Sequence, residues 1–240
     1  MLITSENTRT FNTDTRLACT LAAVAGALNT AAFETVGFFS ANMTGNVSSL
    51  SDHLAKANLH VGLFFLLIVL LFIAGSSVST LIINSGRRRQ IRGIYAINIL
   101  LEGVALFALG VIESWFSFSE SGVLLVLSLS FLMGLQNAVV TRISNARVRT
   151  THVSGTATDI GIELAMLFDV LRRKESPKDA PLYIESLKLH FFTVMAFLFG
   201  GVLGILLLNA LSYKLLILIG VMLSALALSA LQRAGHALHS

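Results

Sequence analysis

Residues 26–45 read GALNTAAFETVGFFSANMTG, an apolar small-residue helix that gives way to polar chain. Residues 134–155, GLQNAVVTRISNARVRTTHVSG, answer it. Gly26 answers Gly134 and Asn29 answers Asn137. Met43-Thr44-Gly45 answers Val153-Ser154-Gly155, with two extra residues in the second copy. Further along, Phe72-Ile73-Ala74-Gly75 aligns with Phe197-Leu198-Phe199-Gly200, and small residues follow four positions later at Ser79 and Gly204. Small residues at that spacing let helix backbones approach closely. Together the pairings divide the chain into two related halves.

Composition decides the solvent. The 240 residues are 55% hydrophobic and 12% charged, with mean hydropathy +0.79. Soluble domains carry roughly 25% charged residues, so this chain must bury its surface largely in lipid. The net charge of +4 sits in short clusters between apolar runs, the pattern of cytoplasmic loops and not of a nucleic-acid surface. Cys19 is the only cysteine, which excludes a disulfide within the chain and a cysteine-based metal site.

In order, residues 1–15 read as a polar cytoplasmic tail and residues 17–33 as the first membrane run, preceded by Arg9 and Arg16 and retained rather than cleaved. Residues 38–54 are too short and too polar to span. They read as a break and a short amphipathic helix with Val47, Leu50 and Leu54 on one face. Residues 59–83, 94–112 and 123–140 are the next three runs. Residues 156–171 form a second amphipathic helix, on which Ile160, Leu164, Leu167, Phe168 and Leu171 share a stripe. Both prolines, Pro177 and Pro181, fall in the loop after it. Residues 189–208 and 215–231 are the fifth and sixth runs, joined by a turn over 209–214.

Charge sets the expected orientation. The cluster from Arg87 to Arg92 belongs in the cytoplasm, and the loop over 113–121, with Glu113, Glu120, Trp115, Phe116 and Phe118, belongs outside. Six crossings with both termini cytoplasmic then satisfy Arg142, Arg147, Arg149 and Arg233 as well. Three crossings per half is an odd number, so the second half must lie upside down relative to the first. The expected fold is all-α: a polytopic membrane protein of six transmembrane helices in two inverted three-helix repeats, each with a broken or re-entrant segment and a short amphipathic helix. It forms a single membrane domain over 1–240, with repeats at 16–112 and 122–232. Inverted repeats with interrupted segments at matching positions mark secondary transporters, and the interruptions point to the binding site.

The Met43-Thr44-Gly45-Asn46 run, Gly134-Leu135-Gln136-Asn137 and Arg149-Thr150-Thr151-His152-Val153-Ser154-Gly155 resemble the YoaK family of bacterial membrane proteins, over about residues 17–231. The resemblance implies a multi-pass inner-membrane protein of a family with no established activity. The chain departs from it in carrying Ser154 where threonine is expected, which retains the hydroxyl.

Thr44 and Ser154 are expected to cap short helices whose free N–H groups converge near the midplane, where an anion or carboxylate is welcome. The substrate-binding candidates are Asn29, Asn42, Thr44, Gly45, Asn46, Gln136, Asn137, Ser154, Gly155 and Thr156. The bland alternative is that these residues only let helices turn and pack. Glu102 lies mid-run, where a charged carboxylate costs at least ~2.5–3.5 kcal/mol; it is the proton-coupling candidate, with Asn98 one turn away. Arg142, Arg147 and Arg149 are anion-attracting candidates, although fixing topology explains them too. Asp159 and Glu163, one turn apart, fit either a cation site or the polar face of a surface helix. His152 and Ser154 lack the setting of a hydrolase, and His53 and His60 make no metal motif. No enzyme activity, cofactor or metal is expected. Two functions stand: a small secondary transporter in a bacterial inner membrane, or a non-transporting scaffold, regulator or lipid-interacting protein. The expected partners are the lipid bilayer, a small polar or anionic solute and a second copy in a homodimer, with no nucleic acid.

Overall fold

A chain this apolar must satisfy its backbone groups internally once in lipid, which leaves the helix as the only economical element for its long runs. A computed structural model describes residue 2, residues 11–115 and residues 121–236. Among them lie eight helices and no strand: α1 (Phe11–Val36), α2 (Met43–Ala55), α3 (Leu59–Arg88), α4 (Ile94–Trp115), α5 (Ser121–Ile143), α6 (Val153–Leu171), α7 (Ala180–Leu211) and α8 (Lys214–His236). Six of these, all but α2 and α6, are long and apolar enough to cross a membrane.

The helices overrun the apolar runs. Residues 11–15, expected in the tail, form the first turn of α1, because Thr15 returns its hydroxyl to the Phe11 carbonyl at 3.0 Å and Asp14 pairs with Arg147 at 2.9 Å. Pro181 sits in the first turn of α7 and not in a loop, since a proline there forfeits an N–H that has no helical partner anyway. The turn expected over 209–214 shrinks to Ser212 and Tyr213, with Ser212 at φ 51. Glu113, expected in an exposed loop, is buried in the last turns of α4. The expected interfacial residues Phe116, Phe118 and Glu120 lie outside the described residues, as do Arg9 and His239.

The spans differ in how deeply they are buried. In the most apolar stretch of α1 and of α5, 67% of residues are buried; in α3 and α7 only 22% are. α1 is rich in Ala and goes to the centre, whereas α3 and α7 turn Leu63, Leu67, Leu70, Phe191, Leu198 and Phe199 outward to where lipid would lie. Gln136 donates its amide to the Leu21 carbonyl at 2.8 Å and ties α5 to α1 within that centre.

The paired glycines mark the closest approaches, and they do so reciprocally. A Cβ on Gly26 of α1 would strike the Phe197 carbonyl of α7, and one on Gly134 of α5 would strike the Phe72 carbonyl of α3. A Cβ on Gly200 would strike the Ala23 carbonyl, and one on Gly75 the Phe131 carbonyl. Ala23 and Phe131 each precede their paired glycine by three residues. The first helix of each half therefore packs on a helix of the other half, and the two halves interlock.

The two short helices bury polar side chains and leave several large apolar ones exposed. Asn46 is the buried residue of α2, and Thr156 and Glu163 are those of α6. Val47 and Leu54 of α2, with Ile162, Leu164, Phe168 and Leu171 of α6, are exposed. The expected apolar stripes are only partly outward: Leu50 packs against the core and Ile160 and Leu167 are half-buried, while Val47, Leu54, Leu164, Phe168 and Leu171 are exposed to where lipid would lie.

Candidate functional site

Both halves leave their first span by a left-handed residue: Gly37 at φ 77 after α1, and Asn145 at φ 52 after α5. Glycine adopts that conformation freely and asparagine tolerates it. In the second half Ala146 follows at φ 62, and a left-handed alanine costs about 1–3 kcal/mol. Replacing Ala146 with glycine is expected to recover roughly 1 kcal/mol, read as a higher unfolding midpoint of the purified protein.

Each break is then stapled to its own span by the paired asparagine. Asn29 Oδ1 accepts the Ala41 N–H at 2.9 Å, two residues before Met43. Asn137 Oδ1 accepts the hydroxyls of Thr150 at 3.3 Å and Thr151 at 3.0 Å, Thr151 lying two residues before Val153. The short helices begin directly after these staples. Their caps are Asn42 and His152, not Thr44 and Ser154, both of which are exposed on the first turn. Asn42 does the expected work: its side chain accepts the Gly45 N–H at 3.1 Å. His152 stands at the same register and makes no side-chain cap bond, so the first-turn N–H groups of α6 lack the acceptor that α2 has.

At that uncapped end lies a cleft of about 300 Å³. The break contributes Arg147, Arg149 and His152, α6 contributes Gly155, Thr156 and Asp159, and α7 contributes Leu189, His190 and Thr193. Arg147 is engaged with buried Asp14, while Arg149 is exposed and has no partner among the described residues. His190 Nδ1 lies 2.8 Å from Glu163 Oε1, and the second Glu163 oxygen is buried with no hydrogen-bond partner among the described residues. Burial raises the Glu163 carboxyl above its ordinary range; the charge and hydrogen bond of His190 pull it back, and Asp159 adds to the rise. The two members of the Asp159–Glu163 pair thus differ: Asp159 is exposed and lines the cleft, and Glu163 is buried behind it.

The register-matched place in the first half is built from rings. His53 and Phe65 occupy the positions of Glu163 and His190, and they stack at 5.6 Å. Phe38 meets Phe64 at 4.8 Å and Phe65 at 5.3 Å, both edge-on. Ile68, fully buried, stands where Thr193 stands in the second half.

Of the residues singled out from sequence, the cleft gathers Arg147, Arg149, His152, Gly155, Thr156 and Asp159. Asn137 supports it from behind, and Ser154 sits on the adjacent exposed turn. Asn29, Asn42, Thr44, Gly45 and Asn46 belong to the other break and do not line it. Asn46 instead donates to the Phe39 carbonyl at 3.0 Å. Arg142 turns to Asn84 at 3.0 Å, and Gln136 serves the α1–α5 contact. Glu102 is fully buried, with neither oxygen hydrogen-bonded among the described residues, and it does not line the cleft. Sequence reading missed His190 and Thr193, which hide inside the long apolar run of α7. Aligning α3 with α7 places histidine over phenylalanine and threonine over isoleucine, and that exchange is the signal. No group of His, Cys, Asp and Glu among the described residues is arranged to hold a metal ion.

Residues 17–229 match the sequence model of a family described as a protein of unknown function, DUF1275. No curated protein and no solved structure matches the chain.

Proposed function

The chain belongs to the DUF1275 family of proteins of unknown function, and we propose that it is a small secondary transporter whose solute site is the polar cleft at the second break. In this reading the halves are inverted repeats, both termini are cytoplasmic, the membrane is a bacterial inner membrane, and the likeness of its motifs to YoaK proteins belongs to the same proposal. The reciprocal glycine contacts and the matched asparagine staples support a twofold relation between the halves. Three candidate spans per half turn such a relation into an inversion.

The single observation that carries the proposal is the difference between the two breaks. The same register is filled by Phe38, Phe64 and Phe65 in one half and opens in the other into a cleft with Arg149, His152 and His190 at its wall. A pair of gates in opposite states is what alternating access requires, and polar non-helical backbone at such a place is tolerated where it lines a cavity. An uncapped helix start with an exposed arginine beside it favours a small anion or carboxylate. The midplane site joining both breaks and Glu102, expected from sequence, gives way in this proposal to a one-sided cleft.

Osmotic swelling of proteoliposomes in a panel of small organic and inorganic anions tests it. Flux above protein-free vesicles is expected for at least one anion, and Arg149→Ala is expected to slow it about tenfold, equivalent to ~1.4 kcal/mol. Arg149 is exposed and has no partner among the described residues, and an unchanged unfolding midpoint of the variant separates loss of flux from loss of fold. Absence of flux for every anion favours the scaffold reading.

A further inference from the structure

We propose that the Glu163–His190 pair is a proton-binding element of the cleft, so that an anion entering beside Arg149 takes up a proton with it. This rests on the reading of the cleft as an anion site. His190 lines the cleft and Glu163 stands behind it, joined at 2.8 Å across the α6–α7 contact. Glu163 is only 8% exposed, so its carboxylate has little water to lean on. With one proton shared, the pair is an imidazolium and a carboxylate and presents a cationic ring to the cleft. Without it the pair is net negative and opposes any anion there.

The matching pair in the first half makes the point by contrast. His53 and Phe65 keep the same two positions in contact by ring stacking alone, without a carboxylate. The packing role of this register thus needs no titratable pair. The second half has one, and only the second half's register faces the polar cleft described above.

The charged and titratable groups around the pair are few. Asp159 lies on α6, with His152, Arg147 and Arg149 on the break. Asp14, on α1, is held by Arg147, and Arg16 follows it, exposed. Glu185 and Lys188 precede His190 on α7, both exposed. Arg147 is already committed to Asp14, so the balance at the cleft wall turns on Arg149, Asp159 and the pair.

Sulfate and acetate are suitable probes, because neither titrates between about pH 6 and 9, so any proton taken up on binding in that range belongs to the protein. Calorimetry of the full chain in detergent, repeated in buffers of different ionisation enthalpy, counts the protons taken up on binding. Net uptake is expected with at least one of the two anions. Affinity is expected to weaken by up to about tenfold per pH unit on the alkaline side of the pair's titration. His190→Phe, which copies the first half, is expected to keep weaker binding and lose both the uptake and the pH dependence. Glu163→Gln, which keeps the shape, is expected to move the uptake to lower pH, because the ring loses its carboxylate. Binding without proton uptake overturns the inference and leaves the cleft reading intact. Uptake that persists in His190→Phe overturns it too. Failure of both probes to bind at any pH also overturns it, while the swelling assay separately decides whether the protein moves anions.

Discussion

Gly26→Ala and Gly134→Ala are each expected to destabilise the protein by ~1–3 kcal/mol, and by amounts closely alike. In each case the new methyl meets a backbone carbonyl, that of Phe197 for Gly26 and that of Phe72 for Gly134. A side chain could swing aside; a carbonyl in a helix moves only if the helix moves. At these positions α1 and α7, or α3 and α5, must separate, and every contact along the pair loosens. For a chain of this size each kilocalorie lowers the midpoint by roughly 2–4 °C. Leucine at either position is expected to prevent assembly, read as loss of the monodisperse peak after solubilisation. Near-equality of the two alanine effects is the informative result, since nothing but the relation between halves makes Gly26 and Gly134 equivalent. A large cost at one and none at the other would mean that the reciprocity of the contacts carries no energetic weight.

The asparagine staples give the second large effect, and here the halves should differ. Asn29→Ala removes the acceptor of the Ala41 N–H, a backbone donor beside a residue only 5% exposed. A buried donor left unpaired costs about 1–3 kcal/mol. Asn137→Ala removes an acceptor of two threonine hydroxyls, which can rotate to other acceptors. The net loss there is expected at the ordinary hydrogen-bond level, about 0.5–1.5 kcal/mol. Thermal unfolding of both variants in one detergent checks the order. If Asn137→Ala is the worse of the two, the second break depends on that staple more than its hydroxyl bonds explain.

Much of the fold is legible because lipid makes a simple demand. Each crossing needs a long apolar run, and the six runs in this sequence reappear as α1, α3, α4, α5, α7 and α8. Hydropathy registers only the part of a helix that lipid covers, which is why α1 reaches back to Phe11, α3 on to Arg88 and α7 back to Ala180. The helical period on α2 and α6 was also legible, but not how much of each stripe the protein itself would cover. Periodicity says that two faces differ, and the surrounding solvent decides which is buried. The caps were misplaced for a local reason: Thr44 and Ser154 are sound capping types, but the asparagine staples fix the chain two residues ahead of the helices, so Asn42 and His152 take the cap register.

The candidate site was half visible. Arg147, Arg149, Gly155 and Thr156 stand in a stretch whose polarity is conspicuous between apolar runs. Glu163 looked like the polar side of a surface helix because its partner, His190, is 27 residues away and embedded among Leu, Phe and Thr. Only the comparison of one half with the other exposes the exchange of Phe65 for His190 and of Ile68 for Thr193. Glu102 drew attention for a sound reason, the cost of a carboxylate in lipid, yet it lies apart from the cleft.

Ser48 and Thr158 occupy matching places on α2 and α6, and both are exposed. Cysteines introduced there one at a time, with Cys19 replaced by serine, can be labelled by a membrane-impermeant maleimide in intact cells and in inverted vesicles. Inverted halves require Ser48→Cys to react from outside the cell and Thr158→Cys from the cytoplasmic side. Reaction of both from one and the same side would contradict the inversion, and with it the opposed gates on which the proposed transport depends.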